Sequence, residues 1–313
     1  MSNSATECTF PSVTGSPLQM RIWLPAGPPK AVLQLVHGMA EHIDRYDETA
    51  KALNELGFVV VGHTHLGHGA EAECLGHFAT ENGWDALIRD THALRLQTAT
   101  QYPQLPYFLL GHSMGSFVVR TYCLQYEKGL AGVILSGTGH FPPVAVSLGK
   151  LIANLECAIG RAQKPSELLK TISSSGNNKK LEKPRTEFDW LSTMESVVDT
   201  YIADPYCGFT FTAGGYRDMF TGLSRLYPRH LSAMAKDIPV YLFSGGDDPI
   251  GQYGEGVQKV AEEIKSAGVE NVTVTLYPGY RHEMFNEPER YTVWKDLGAW
   301  MDRALPDAPS AKS

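Results

Sequence analysis

The 313-residue sequence is poor in cysteine and in positive charge. Its five cysteines, Cys8, Cys74, Cys123, Cys157 and Cys207, are odd in number and form no C-x-x-C pair. That argues against a disulfide framework and for free thiols in a reducing compartment. Lys plus Arg is 27 against 34 for Asp plus Glu, a net charge of −7. There is no basic footprint for nucleic acid, and purely electrostatic attraction to anionic membranes is not expected. The opening Met1–Cys8 has no basic or apolar signal region, and no uncharged apolar run reaches the roughly 18 residues of a spanning helix. Hydrophobic residues make up 43%, enough for a sizeable core. The expectation is a soluble, cytoplasmic globular protein. Its length allows two average domains or one large α/β domain.

What is present is an alternation of strand and helix patterns. Leu18, Met20, Ile22 and Leu24 alternate with polar neighbours, which predicts a half-buried antiparallel strand near a sheet edge. The nearly continuous apolar run 31–36 suits a strand covered on both faces, and further strands are predicted at 58–62, 107–110, 130–136, 240–243 and 272–277. Helical stretches are predicted near 45–56, 84–101, 114–126, 254–267 and 291–303. This rhythm indicates βαβ units and a mostly parallel sheet flanked by helices. It breaks between about 140 and 232, where helices are expected near 144–161 and 191–202. The predicted outline is a core of 1–139 and 233–313 with a helical cap insertion at 140–232.

Gly111-His112-Ser113-Met114-Gly115 matches G-x-S-x-G between an apolar strand and a helix. A sharp strand-to-helix turn there lifts a serine hydroxyl above the sheet, at a helix N-terminus that favours developing negative charge. Such a serine needs a base, and the base an orienting acid, in the chain order Ser, acid, His. His282 follows the strand 272–277 by a short loop and is the better placed of the two late histidines, the other being His230. The acid belongs after the strand 240–243, where Asp247 and Asp248 compete. Spacing slightly favours Asp248 but does not decide. Oxyanion donors are expected from the residue after the nucleophile and from the loop after the first buried strand, so from the backbone N–H groups of Met114 and Met39.

The blocks H-G-M-A-E-H-I-D-R-Y (37–46), G-H-S-M-G (111–115), F-D-W-L-S (188–192), D-P-Y-C-G-F (204–209), G-G-D-D-P-I-G (245–251) and Y-R-H-E-M-F-N-E (280–287) resemble one family. It is the monoglyceride lipase and lysophospholipase branch of the α/β-hydrolases, grouped with serine aminopeptidases. The resemblance spans about residues 30–300 and implies Asp248 as the acid, Ser113 as the nucleophile and His282 as the base. It also implies an α/β-hydrolase fold, fatty-acyl ester substrates and no cofactor. Relatives often carry D-H-x-G-H-G-x-S after the second core strand. Here Thr64 and Glu71 stand at the Asp and Ser positions, which affects the transfer of fine substrate preference.

Two alternatives come from other classes. His63, His65 and His68 fit H-x-H-x-x-H, a spacing that suits zinc in metal-dependent hydrolases, although Gly67 stands where those enzymes have an aspartate. A non-catalytic ligand-binding protein is the other, opposed by the complete Ser-Asp-His order. In the cap, Phe141, Leu148, Ile152, Leu155, Ile159, Trp190, Tyr206, Phe209, Phe211 and Phe220 offer apolar surface. Most are expected in the cap's own core and a minority against substrate. Lys180, Lys183 and Arg185 are read as a solvated face that a phosphate head group would otherwise meet. The expected partner is a small acyl ester, presented in some cases at a lipid surface.

Overall fold

The structure is a computed structural model, and it describes residues 5–305. Its centre is one eight-stranded sheet in the order β1-β2-β4-β3-β5-β6-β7-β8. The strands are β1 (Thr6–Pro11), β2 (Pro17–Trp23), β3 (Ala31–Val36), β4 (Phe58–His63), β5 (Tyr107–His112), β6 (Gly132–Ser136), β7 (Val240–Gly245) and β8 (Val272–Tyr277). Only β2 runs against the others: it pairs antiparallel with both β1 and β4, and β4 to β8 are mutually parallel. The antiparallel strand expected at 18–24 is therefore one place in from the edge. The edge strand β1 escaped the sequence reading, because Phe10 is its one buried side chain.

β3, β4, β5, β6 and β7 are buried at every position, as continuous apolar runs demand. Alternate residues serve opposite faces. Leu33, Leu35, Phe108, Leu110, Ile134 and Phe243 pack towards α1 (Asp47–Glu55) and α10 (Arg290–Ala304). Val32, Val36, Leu109, Val133, Leu135 and Leu242 pack on the other face with α2 (Gly83–Gln101), α3 (Met114–Tyr122) and α9 (Glu255–Ser266). Each crossover returns the chain to a parallel strand, so the carboxyl ends of the strands, and the loops that follow them, collect at one edge.

Between β6 and β7 lie α4 (Pro143–Glu156), α5 (Glu167–Ser174), α6 (Glu195–Ala203), α7 (Ala213–Leu223) and α8 (Pro228–Leu231). α4 runs on through a wider turn to Arg161, where Gly160 has φ 82°. The stretch Pro143–Arg161 is long and apolar enough to cross a membrane by length and composition alone, but Lys150 and Glu156 interrupt it. Val146, Ala153, Leu169, Tyr216, Met219 and Phe220 from these helices join the same hydrophobic cluster as α2 and α3. The inserted helices thus share the core's own packing.

Candidate active site

Ser113 stands between β5 and α3 with φ 51° and ψ −121°, a left-handed conformation rare for a side-chain-bearing residue. The chain can turn this sharply because its flanking glycines are in close contact. A Cβ on Gly115 would lie 2.0 Å from the Val36 carbonyl oxygen, and one on Gly111 would lie 2.3 Å from the Gly115 carbonyl oxygen. The turn is tied down by the Ser113 N–H, which donates to Ser136 O at 2.9 Å.

His282 and Asp248 meet beside it. His282 Nδ1 is 3.0 Å from Asp248 Oδ2, and both side chains are essentially buried. The carboxylate is held in turn: Ser244 Oγ donates to Oδ2 at 2.9 Å and the Ile250 N–H to Oδ1 at 2.9 Å. Asp247 is exposed, so of the two competing aspartates only Asp248 reaches the histidine. Burial disfavours the imidazolium, but the charge and hydrogen bond of Asp248, with Glu283 and Glu41 beyond, outweigh it and raise the His282 pKa above its ordinary value. The bond to Asp248 occupies Nδ1 and leaves Nε2 as the nitrogen for a reacting serine. Trp190, from the insertion, packs on the imidazole with centroids 4.9 Å apart, and His112 packs 4.7 Å away.

The loop after β3 is held by charges that the sequence reading did not assign. Glu41 is buried and accepts from the Gly38 N–H at 2.6 Å, Tyr46 Oη at 2.8 Å and Arg45 Nη1 at 2.7 Å. Arg45 also donates to both oxygens of Glu283, at 2.7 and 2.8 Å, and Asn286 donates to Glu283 at 2.8 Å. The Met39 loop is thereby clamped to the segment carrying His282. The i, i+4 spacing of Glu41 and Arg45 was the signal that could have revealed half of this clamp. Ala40, with φ 52°, is pinned from both sides. Its N–H donates to His68 Nε2 at 3.2 Å, while its carbonyl accepts from Tyr201 Oη at 2.9 Å and the Gly208 N–H at 3.0 Å. Thr64, in place of the relatives' aspartate, accepts from the Ile43 N–H at 3.3 Å and so steadies the same loop.

The Y-R-H-E-M-F-N-E block also grips the inserted helices. Arg281 Nη1 donates to the carbonyls of Asp189 at 2.7 Å and Ser192 at 2.9 Å. Buried Glu287 accepts from the N–H groups of Thr193 and Arg281.

Ser113, Met39, Met114 and His282 line one cavity of about 320 Å³, walled by Phe117, Phe141, Trp190, Leu191, Phe209, Met219 and Phe220. Of the ten apolar residues predicted for the cap, Phe141, Trp190, Phe209 and Phe220 line it, and Phe211 is buried core. The expectation that most of the ten are buried is corrected: Leu148, Leu155, Ile159 and Tyr206 are exposed. α4 uses its opposite face, with Val146, Gly149 and Ala153, for packing. Lys180, Lys183 and Arg185 do not line the cavity. Arg185 pairs with Asp199 at 2.8 Å, and Lys180 sits 3.3 Å from the Tyr253 ring centroid. His230 lies on α8, away from this cavity, with Nε2 accepting from Arg229 at 3.0 Å.

His63, His65 and His68 are buried but, among the described residues, are not gathered as a metal-ligand group; both ring nitrogens of His63 and Nδ1 of His65 are without a hydrogen-bond partner. The His65 N–H donates to His37 Nε2, His65 Nε2 bonds the His37 carbonyl, and His68 bonds Leu66 O and the Ala40 N–H. Burial pushes the pKa values of His63 and His68 down to about 4. Beside them is a second, more polar cavity of about 260 Å³, bounded by Thr14, Gln19, Glu71 and His77, with neither Ser113 nor His282.

A family model described as serine aminopeptidase, S33 matches residues 27–289. The chain belongs to this α/β-hydrolase family. It is 28% identical over 306 residues to a monoacylglycerol lipase of Mycolicibacterium smegmatis, covering 96% of this chain and 98% of that one. It is 27% identical over 297 residues to the monoglyceride lipase of Rattus norvegicus, covering 93% and 88%. Among solved structures, a thermostable carboxyl esterase from Bacillus coagulans in complex with glycerol superposes with a TM-score of 0.90 at 31% identity, covering 96% of this chain and 99% of that one. These likenesses bear out the expected fold and the expected class, a carboxylic ester hydrolase.

Proposed function

We propose that the chain hydrolyses fatty-acyl esters, monoacylglycerols or lysophospholipids among them, through an acyl-enzyme on Ser113. The observation that carries this reading is the His282–Asp248 pair, sharing an apolar cavity with a serine on a strained strand-to-helix turn. Ser113 Oγ attacks the acyl carbonyl as His282 Nε2 takes its proton. Asp248 fixes the tautomer and stabilises the imidazolium. The Met39 and Met114 N–H groups bind the oxyanion, each worth about 3–4 kcal/mol. His282 returns the proton to the leaving alcohol. Water, activated by the same imidazole, then releases the fatty acid.

Residues 140–232 act as the cap in this reading, and their aromatic wall takes the acyl chain. The exposed faces of α4 and α5 extend it. Val144, Leu148, Leu151, Leu155 and Ile159 recur at helical spacing, next to Leu168 and Ile172, and all are more than half exposed. A contiguous apolar surface of this kind supports substrate uptake from a lipid surface. The five free cysteines suit a reducing, cytoplasmic setting.

The test is labelling with a fluorophosphonate probe, followed by peptide mass mapping, for the native protein and Ser113→Ala. A single adduct on Ser113, absent from the variant, is expected, together with loss of ester hydrolysis. Absence of an adduct on folded native protein, or one that persists in Ser113→Ala, overturns the assignment.

A further inference from the structure

The segment 204–208 meets the oxyanion-side loop through polar groups that the ester chemistry does not use. His42 Nε2 is 2.8 Å from Asp204 Oδ2, and Cys207 completes a trio whose ligand atoms all lie within 4.8 Å of one another. Among the described residues this is the one group of three or more His, Cys, Asp or Glu side chains so gathered. It joins the two segments beside the Gly208 N–H to Ala40 O bond. We propose that His42, Asp204 and Cys207 form an inhibitory site for a borderline or soft divalent cation, with Zn²⁺ as the natural case.

The donor set fits that class. An imidazole, a carboxylate and a thiolate suit zinc, and a fourth tetrahedral position falls to water. Zinc bond lengths of about 2.0–2.3 Å put tetrahedral ligands about 3.3–3.8 Å apart, so His42 and Asp204 must part by about 0.5–1 Å and Cys207 must approach by about 1.5 Å at most. The surroundings favour a cation. Asp44 lies 4.0 Å from His42, and Glu41 and Glu283 stand beyond, with Arg45 the cation shared between those two. The His42 and Asp204 side chains are 13% and 26% exposed, which gives the ion an approach from solvent. Metal binding displaces the thiol proton of Cys207, whose pKa burial raises, and replaces the His42 Nε2 proton that the bond to Asp204 uses, leaving the imidazole protonated on Nδ1 towards Asp44; no redox change is involved.

Inhibition follows from the connections. Drawing Asp204 and Cys207 onto the metal pulls the chain at Gly208, whose N–H holds the Ala40 carbonyl next to Met39. The inhibition rests on the ester-hydrolase reading, whereas the binding does not.

The experiment uses tag-free, metal-free full chain titrated with Co²⁺, which reports thiolate ligation by a charge-transfer absorption, then with Zn²⁺ as competitor. One Co²⁺ per chain with that absorption is expected, lost in Cys207→Ser and weakened at least about tenfold in His42→Gln. Ester hydrolysis by the native protein should fall as Zn²⁺ fills the site and return with a chelator. Cys207→Ser should remain active and need at least about tenfold more Zn²⁺ for the same inhibition. A charge-transfer absorption that survives Cys207→Ser overturns the site. Equal Zn²⁺ sensitivity of native and Cys207→Ser protein overturns the inhibition. If the native protein shows no ester hydrolysis, the absorption still decides the site by itself.

Discussion

Arg45 is the most informative residue to remove. Its guanidinium is 14% exposed and bonds two carboxylates that are 5% exposed each, Glu41 and Glu283, all at about 2.7–2.8 Å. Arg45→Met keeps the volume and deletes the charge. Two buried carboxylates then face each other without a cation, and breaking a buried pair in this way costs about 3–5 kcal/mol. With an unfolding entropy of about 2.1 cal/mol/K per residue, a chain of this length loses about 1.5 °C in Tm per kcal/mol, so Tm should fall by about 5–8 °C. The pH dependence identifies the cause. For Glu283, burial opposes ionisation, but Arg45's charge and hydrogen bonds prevail and hold its pKa below the ordinary value of 4.5. In the native protein that stability is present above pH 4.5 and is lost as pH falls through the lowered value. In the variant the same burial is no longer offset by Arg45, with only the Asn286 hydrogen bond against it, and raises the carboxyl pKa. The penalty is then greatest at neutral pH and shrinks as the group takes a proton, so the two Tm curves should converge below about pH 5. kcat should also drop, since Glu41 holds the Gly38 N–H and Glu283 follows His282. Thermal melts at pH 7.5, 6 and 5, with ester hydrolysis at pH 7.5, measure all of this. A variant with unchanged Tm and kcat at pH 7.5 would show that the clamp does not hold the site.

Asp248→Asn should lower kcat by about 10⁴-fold through the wrong histidine tautomer, while Asp247→Asn stays within a few-fold; the reverse order in a steady-state ester assay would move the acid. At Ser113, φ 51° strains any residue with a Cβ, so Ser113→Gly should be about 1–2 kcal/mol more stable than Ser113→Ala in urea titrations, and an Ala variant at least as stable would deny the strain. Acid should destabilise the fold between pH 6.5 and about 4, because the unfolded chain binds protons that buried His63 and His68 refuse until about pH 4, at about 3 kcal/mol each. His37, His65 and His112 are lowered too; Asp90, pushed up to about 6, acts in the opposite direction and is outnumbered, while His282, whose pKa is raised, contributes in full below about pH 6.5 and stays constant across this window. Urea midpoints that stay level or rise from pH 6.5 to 5 would refute this balance.

The sheet was legible because its inner strands are buried on both faces, so β3, β4, β5 and β7 each stand out as an apolar run. Ser113 stood out as a candidate for a related reason, since it directly follows the buried strand β5; His282 stood out because it follows β8 by a short loop, although β8 is only half-buried. The choice between Asp247 and Asp248 was not, since neighbouring residues share every periodic signal and only the three-dimensional turn aims one of them inward; there the family resemblance supplied what spacing did not. α7 was missed because Gly214, Gly215 and Gly222 depress helix propensity. The structure gives the reason for Gly222, whose Cβ would lie 2.0 Å from the Trp84 ring. Packing against α2 therefore dictated a residue that local propensity counts against a helix. The exposed leucines of α4 misled in the opposite sense. An apolar residue at helical spacing is buried by whatever covers that face, and the sequence carries the spacing without the cover. The clamp is the hardest part to read, because Arg45 and Glu283 lie 238 residues apart and neither sits in a pattern that points to the other. Long-range charge pairing leaves no periodic trace, so the groups that orient the site emerge only when the fold brings the β3 loop and the His282 loop together.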